Sequence, residues 1–520
     1  MIAAERNWAT IMQAVFPRQS IRKGRMDMAR NEYIREAMNR APEFSVSNQT
    51  IASAWNRAIH TILNISTVSC PPETYNRTGL WSPTPGLMIR AGGGYPTPWT
   101  RDAAVNTMNA ACFLEPEVAK NTLWAVCERV DGKLCFQMDN QSWDKIIWAA
   151  GAWEYYLATG DHEFLVDAYK TIFYSLSLLE KTQYREAFGL FAGGSFFNDG
   201  ITGYPAELHQ EGNESSFVGD HPAVSGIMSL STNCLYYHAY CVLEKMSRIL
   251  GREELCAGYG QKAAAVKAAV NRFLWLEEKG RYGYFVYPDG RVDASQEGCG
   301  LSFAILFGLC DRERAERILD HVEISRNGLV SIWPPFDGIS SIEKPLRHNN
   351  LIWPFVNGYF ASAAAKLGRA DLLGEELTHV SQLVEKSGGC FYEIYNPETE
   401  EPDGGWQCGG HWDSVADQTW SATGLIRMIV FGLFGVTLHE NGISFAPCLP
   451  EGLGAVSLKG LRIRNVVLDL CLDGADAEIT KQDGQAEHRM EIRINGKVGN
   501  WIGFDAGGAY RVEMRWSLEE

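Results

Sequence analysis

The sequence lacks several things that would assign it to a common class. No apolar run reaches the roughly 18 residues needed to span a bilayer, so no membrane partner is expected. No Cys-x-x-Cys pair occurs among the 13 cysteines, an odd number, which argues against a disulfide framework and a cysteine zinc site. Cys112, Cys127, Cys234, Cys241 and Cys310 sit in apolar stretches that read as helical, the pattern of buried reduced thiols. There is no P-loop, no Rossmann glycine fingerprint and no GxSxG elbow. The 11 histidines form no HExxH pair, so neither a metal nor a cofactor is expected. Basic charge is short: 47 Lys and Arg face 63 Asp and Glu, a net charge of −16 that excludes nucleic acid as a partner. The first 25 residues lack the apolar core of a secretory signal, which predicts a cytoplasmic protein. On that reading the sequons at Asn48, Asn64, Asn76 and Asn213 are chance. No pattern specifies an oligomeric state.

What is present is a globular composition, 46% hydrophobic and 21% charged, too long for one core alone. Residues 1–45 are basic and weakly patterned, an N-terminal extension or lead-in helix. From 46 to 436 amphipathic helical patterns recur in pairs. In QSWDKIIWAAGAWEYYLATGD, Trp143, Ile146, Ile147, Ala150, Trp153 and Leu157 share one face. Gly160 is placed to end that helix and Asp161 to cap the next. Further helices fit 48–64, 102–114, 230–251, 255–275, 297–309, 312–323, 350–368, 370–387 and 418–436. Gly-, Pro- and aromatic-rich loops separate the pairs. Such pairs can close into a ring of inner and outer helices with the loops gathered round a pocket. After 437 the pattern alternates between turn signals, which predicts a β-sandwich domain over 437–520. The expected fold is mainly α: an (α/α)6 toroid with a smaller C-terminal antiparallel β-domain.

The residues that could do chemistry lie in the loops. Trp99-Thr100-Arg101-Asp102 opens a helix, where an Arg–Asp pair can grip hydroxyls or simply cap. Asp199, in FFNDGITGYP, is a candidate general acid whose apolar surroundings would raise its pKa, or a turn residue. Glu207, Glu211 and Glu214 are rival acids. Glu393, in GGCFYEIYNP, could activate water as a general base. Polar clusters at Gln137-Met138-Asp139-Asn140, His348-Asn349-Asn350 before Trp353, and His411-Trp412-Asp413 could line a sugar subsite.

These loops resemble the six-hairpin glycosidases. TPWTRDAAVN is similar to the WTRD segment of glycoside hydrolase family 15, and AFGLFAGGSFFNDGITGYP to the acid loop of families 63 and 37. FYEIYNPETEEPDGGWQ with DQTWSATGL resembles the base segment of family 63, and HENGISFAPCLPEGLGAVSLKGLRIRN the C-terminal β-domain of families 65 and 78. The resemblance implies Asp199 as acid and Glu393 as base, Arg101 and Asp102 on the sugar of the −1 subsite, and Trp99, Gln137, Asp139, Trp353, Trp412 and Trp420 as pocket walls; His348 and Glu207 join the substrate-binding set. It implies an inverting exo-acting hydrolase of a small α-glycoside, α-glucosidase-like, with a carbohydrate substrate and no cofactor. The alternatives are an α-L-rhamnosidase-type hydrolase, a disaccharide phosphorylase, a lyase or epimerase using His209, His348 or His411, and a non-catalytic sugar-binding protein.

Overall fold

The computed structural model describes residues 20–82, 86–137, 141, 143–336, 344–473 and 488–518. Six helices form a cycle: Thr100–Asn106, Trp148–Thr159, Leu230–Ile249, Gly298–Leu306, Pro354–Lys366 and Thr419–Arg427. Each packs on the next, and the last packs back on the first. Outside them lie Gln49–His60, Pro116–Ala125, His162–Gln183, Glu253–Phe273, Arg312–His321 and Ala370–Lys386. Every one of these touches an inner helix adjacent to it in sequence or, for Gln49–His60, the final inner helix.

The two sets differ in burial for a geometric reason. An outer helix shields one side, so Glu253–Phe273 buries only Tyr259, Ala263, Val266, Ala269 and Val270. An inner helix is enclosed all round, so Pro354–Lys366 buries every residue from Pro354 to Ala365. The single apolar face predicted over 143–157 is therefore too narrow: a 3-10 turn at Trp143–Ile147 and nearly the whole of Trp148–Thr159 are buried. Small residues let the inner helices approach. A Cβ added to Gly358 would fall 2.7 Å from the Gly424 carbonyl oxygen, and one on Gly151 would fall 2.8 Å from the Ala104 Cα.

The capping expectations hold. Gly160 takes a left-handed conformation at φ 72°, and the Asp161 side chain accepts from the Phe164 amide. Helix Pro116–Ala125 went unpredicted because its short run carries Thr122 and Asn121 inward, where they hydrogen-bond backbone. Cys127 starts the strand Cys127–Val130 and is not helical.

The C-terminal strands form two sheets. Val436–Leu438, Gly442–Phe445 and Trp501–Gly503 make one. The other runs in the order Glu43–Ser45, Val456–Ile463, Val466–Asp473, Gly508–Leu518, His488–Ile494 and Lys497–Val498. Two expectations need correction. The domain is not wholly antiparallel: Val466–Asp473 pairs in parallel with Gly508–Leu518, because the chain crosses over between them instead of turning back. The lead-in is not separate either. Helix Ser20–Arg40 passes into Glu43–Ser45, which becomes the edge strand beside Val456–Ile463.

Candidate active site

The side chains that could do chemistry converge where the inner helices begin. Tyr95 and Trp99 precede helix Thr100–Asn106, and Arg101 and Asp102 lie in its first turn. Gln141, Asp144 and Lys145 come from the turn that leads into Trp148–Thr159. Asp199 and Phe217 belong to the long loop before Leu230–Ile249. Arg347, His348 and Trp353 precede Pro354–Lys366, and Glu393 and Gln418 precede Thr419–Arg427, whose first turn holds Trp420. Together they line a cavity of about 290 Å3. Three helix N-termini, those of Thr100–Asn106, Pro354–Lys366 and Thr419–Arg427, meet there, so their peptide dipoles favour negative charge in this space.

Glu393 is fixed on one wall. Arg347 Nη2 stands 2.7 Å from its Oε2, and the Tyr95 hydroxyl donates to the same oxygen at 3.4 Å. Arg347 is itself held by the Gly404 carbonyl and lies over the Trp353 ring. Burial, and then the Glu393 charge, push the Tyr95 phenol well above its ordinary value, so it stays a donor.

On the same cavity, two carboxyls share one guanidinium. Arg101 bonds Asp199 at 2.7 Å and lies 3.6 Å from Asp144. His348 Nε2 is 3.0 Å from the other Asp199 oxygen. Burial alone would raise the Asp199 carboxyl, but Arg101 and the His348 hydrogen bond outweigh it and hold the group well below the usual carboxylate range. The predicted upward shift for Asp199 is thus reversed, because an aromatic loop in sequence is a cationic niche in space. Asp102 behaves oppositely. Burial pushes it up to about 7, with Arg101 pulling down and Glu393 pushing up. Asp102 is sealed at 3% exposure, whereas the Asp199 side chain is 37% exposed.

Glycines let these loops meet. A Cβ on Gly200 would lie 2.5 Å from His348 Cδ2, so the Asp199-Gly200 pair is what allows His348 to reach Asp199. His348 sits at φ 59° and stacks on Trp353.

Of the residues singled out in the sequence, the cavity unites Trp99, Arg101, Asp102, Asp199, His348, Trp353, Glu393 and Trp420. Three others fall outside its described lining. Glu207 is exposed, bonds the Tyr287 hydroxyl and lies 3.6 Å from Arg291, which draws it to the outer face of its loop. Gln137 ends the hairpin Cys127–Val130 with Lys133–Phe136, donating its amide to Val126. Trp412 is 47% exposed next to the hairpin of Trp406–Gln407 and Gly410–His411. Glu211 and Glu214 are exposed, His209 faces the Tyr204 carbonyl and His411 pairs with Asp403. Asp139 lies outside the described residues. Arg347, Lys145, Asp144, Tyr95 and Gln418 also line the cavity, and no sequence motif singles them out. Arg347 immediately precedes His348, and a lone cation before a polar cluster was its one available signal.

Comparison with known proteins is consistent along the chain. Residues 95–421 match the mannosylglycerate hydrolase MGH1-like glycoside hydrolase domain, and residues 436–498 match the C-terminal domain of glycosyl hydrolase family 65. An uncharacterised protein of Borreliella burgdorferi is 22% identical over 318 residues, which is 56% of this chain and 63% of that protein. A sialidase structure superposes with a TM-score of 0.63 at 17% identity, over 90% of this chain and 41% of that one. A family 78 rhamnosidase of a Bacillus species gives 0.56 at 15%, over 84% and 42%. A family 63 mannosylglycerate hydrolase from Thermus thermophilus, in complex with glucose, gives 0.54 at 14%, over 72% and 99%. At these identities the likeness is one of fold. The chain spans about three-fifths of the Borreliella relative and two-fifths of the sialidase.

Proposed function

Since this chain belongs to the mannosylglycerate hydrolase MGH1-like glycoside hydrolases, and so is a glycoside hydrolase, we propose that it cleaves a small α-glycoside from one end with inversion at the anomeric carbon. The observation that carries this reading is that Glu393 and the Arg101-linked carboxyls line one small cavity. The cycle of six inner helices supports reading the scaffold as an (α/α)6 toroid. A cavity of about 290 Å3 at the small end of ligand sites favours one terminal sugar over the middle of a polymer.

In this reading Glu393 is the general base. Arg347 and Tyr95 hold its carboxylate in one orientation, aimed at a water on one face of the sugar. Asp199 is the general acid. Its side chain is the more exposed of the two carboxyls, which suits a group that must meet the leaving group. When sugar hydroxyls draw on Arg101 and water is excluded, the ion pair that holds Asp199 ionised weakens and burial raises its pKa. Asp102 sits at the floor and grips the bound sugar together with Arg101. Trp99, Trp353 and Trp420 offer apolar faces to the ring. Inversion requires the two carboxyls to leave room for a water, a separation of about 6.5–9.5 Å.

One observation favours a second assignment: Asp102 is the carboxyl that holds a proton near neutrality. If Asp102 is the acid, Asp199 becomes the sugar-gripping partner of Arg101. The leaving-group dependence of the two Asn variants separates these assignments.

The sugar we place first is glucose, with rhamnose second, in line with the glucose-bound hydrolase and the rhamnosidase that share the fold. A phosphorylase is ranked lower because the carboxyl we take as the base, Glu393, lines the cavity where a phosphate site would have to replace it. The unpaired state of all 13 cysteines suits a reducing, cytoplasmic setting. The test is a panel of aryl glycosides with and without phosphate, followed by proton NMR of the first product. Turnover with an inverted anomer, and a Glu393→Gln variant slower by about 10²–10⁴-fold, is the expected result. A retained anomer, phosphate-dependent turnover or full activity of Glu393→Gln would overturn the assignment.

A further inference from the structure

A second polar cavity of about 250 Å3 lies where the inner helices meet the C-terminal strands. It is lined by Glu154, Ser362, Lys366, Arg427 and Thr437 among apolar side chains that include Phe431. It is separate from the catalytic cavity. Arg427 is seven residues beyond Trp420 on the same helix, about 10 Å further along its axis.

Arg427 is the unusual group. A guanidinium has five N–H donors in a planar fork. Among the described residues this one makes a single long hydrogen bond, from Nη1 to Asn109 Oδ1 at 3.4 Å. Its Nε is sealed from solvent with no partner. Among the described residues no carboxylate comes within ion-pairing distance of it. The rings of Tyr359 and Phe431 instead lie within cation–π range of it, their centroids 5.1 and 5.2 Å away. Lys366 stands on the same cavity and uses two donors on the carbonyls of Ile305 and Leu306. Burial pulls both cations below their ordinary values, a strain that a nearby negative charge relieves.

From this geometry we infer that the cavity is a binding site for a small monocarboxylate, with Arg427 as its bidentate partner. Two cations against the single carboxyl of Glu154 leave one positive charge to be balanced. Glu154 also repels a dianion, and Phe431 and Leu306 supply an apolar wall for a short carbon chain. Planar, two-oxygen recognition is what a fork-shaped donor does best.

The test is isothermal titration of the full chain with sodium acetate, against sodium chloride at equal ionic strength, with inorganic phosphate as a second arm. Acetate is expected to bind at one saturable site, and more tightly than phosphate. Arg427→Met is expected to weaken acetate about tenfold or more, the effect of losing a charge-assisted pair. Because that variant removes a largely buried group, Thr437→Trp provides a second arm. Thr437 is exposed at the cavity edge, so a Trp there covers the opening without disturbing the core. It should abolish acetate binding and leave glycoside turnover unchanged. Absence of saturable acetate binding, tighter phosphate binding, or acetate binding unaltered by Thr437→Trp overturns the assignment, and none of these outcomes bears on the hydrolase reading.

Discussion

Arg101 Nη2 lies 2.7 Å from Asp199 Oδ2, joining the first turn of one inner helix to a loop almost a hundred residues later. Beside it Asp102 keeps one buried oxygen, Oδ1, with no hydrogen-bond partner. The same guanidinium holds one carboxylate ionised, while burial pushes the carboxyl of its sequence neighbour up to about 7. This pairing makes the two acids separable by experiment.

The general acid is identified by what the leaving group requires. Asp199→Asn should lower kcat/KM about 10²–10⁴-fold on a methyl or sugar glycoside but by less than about tenfold on a dinitrophenyl glycoside, whose departure needs no proton. Asp102→Asn should lose activity on both alike. The reverse pattern transfers the acid role to Asp102, and equal losses in both variants reject an acid role for either.

The alkaline limb of the rate profile should report Asp102. Below about 7 its carboxyl is mostly protonated and can donate to a sugar hydroxyl; above about 7 it ionises and loses that donor. We expect kcat/KM to fall as pH rises through that value. Asp102→Asn, slower at all pH values, should lack this particular decline. A wild-type rate that stays level from pH 6 to 9 contradicts it.

Stability should also decline with rising pH. Glu115, Glu297 and Glu376 are buried and pushed up to about 8, 7 and 7 from an ordinary 4.5, in each case chiefly by desolvation. A raised carboxyl pKa means the folded state binds the proton more tightly than the unfolded chain. That contribution is complete below the unfolded value and is lost progressively as pH climbs from there through the folded one. Each group accounts for at most roughly 3–5 kcal/mol, at 1.36 kcal/mol per pK unit. The melting temperature should therefore fall between pH 5 and 8.5. Glu297→Gln, which still has an oxygen for the Ser231 amide, should flatten the slope measured by calorimetry.

Packing at the inner ring gives a prediction with a decided sign. Helix propensity favours Ala over Gly by up to about 1 kcal/mol. At position 358 that gain meets backbone, since the new Cβ would lie 2.7 Å from the Gly424 oxygen and 2.9 Å from its Cα. Backbone cannot yield as a side chain does. Gly358→Ala should destabilise by about 1–3 kcal/mol in urea unfolding, as overpacked cores do. Gly258→Ala, on the outer helix with open space around it, should be neutral or mildly stabilising.

By itself the sequence determined the local order of this protein: where helices alternate, where Gly160 and Asp161 punctuate them, where strands begin, and that Arg101 and Asp102 open a helix while Asp199 and Glu393 stand in loops. Those are consequences of side-chain periodicity and backbone preference, which act within a few residues. Tertiary structure alone decided the rest. It brought Arg347 onto Glu393 and His348 onto Asp199, gave Asp102 and not Asp199 the raised pKa, and turned Glu207 and Trp412 away from the cavity. It also drew Glu43–Ser45 into a sheet whose other strands lie some four hundred residues away. Charge and desolvation depend on what lies within a few ångströms in space, and the order of residues along a chain carries no record of that distance.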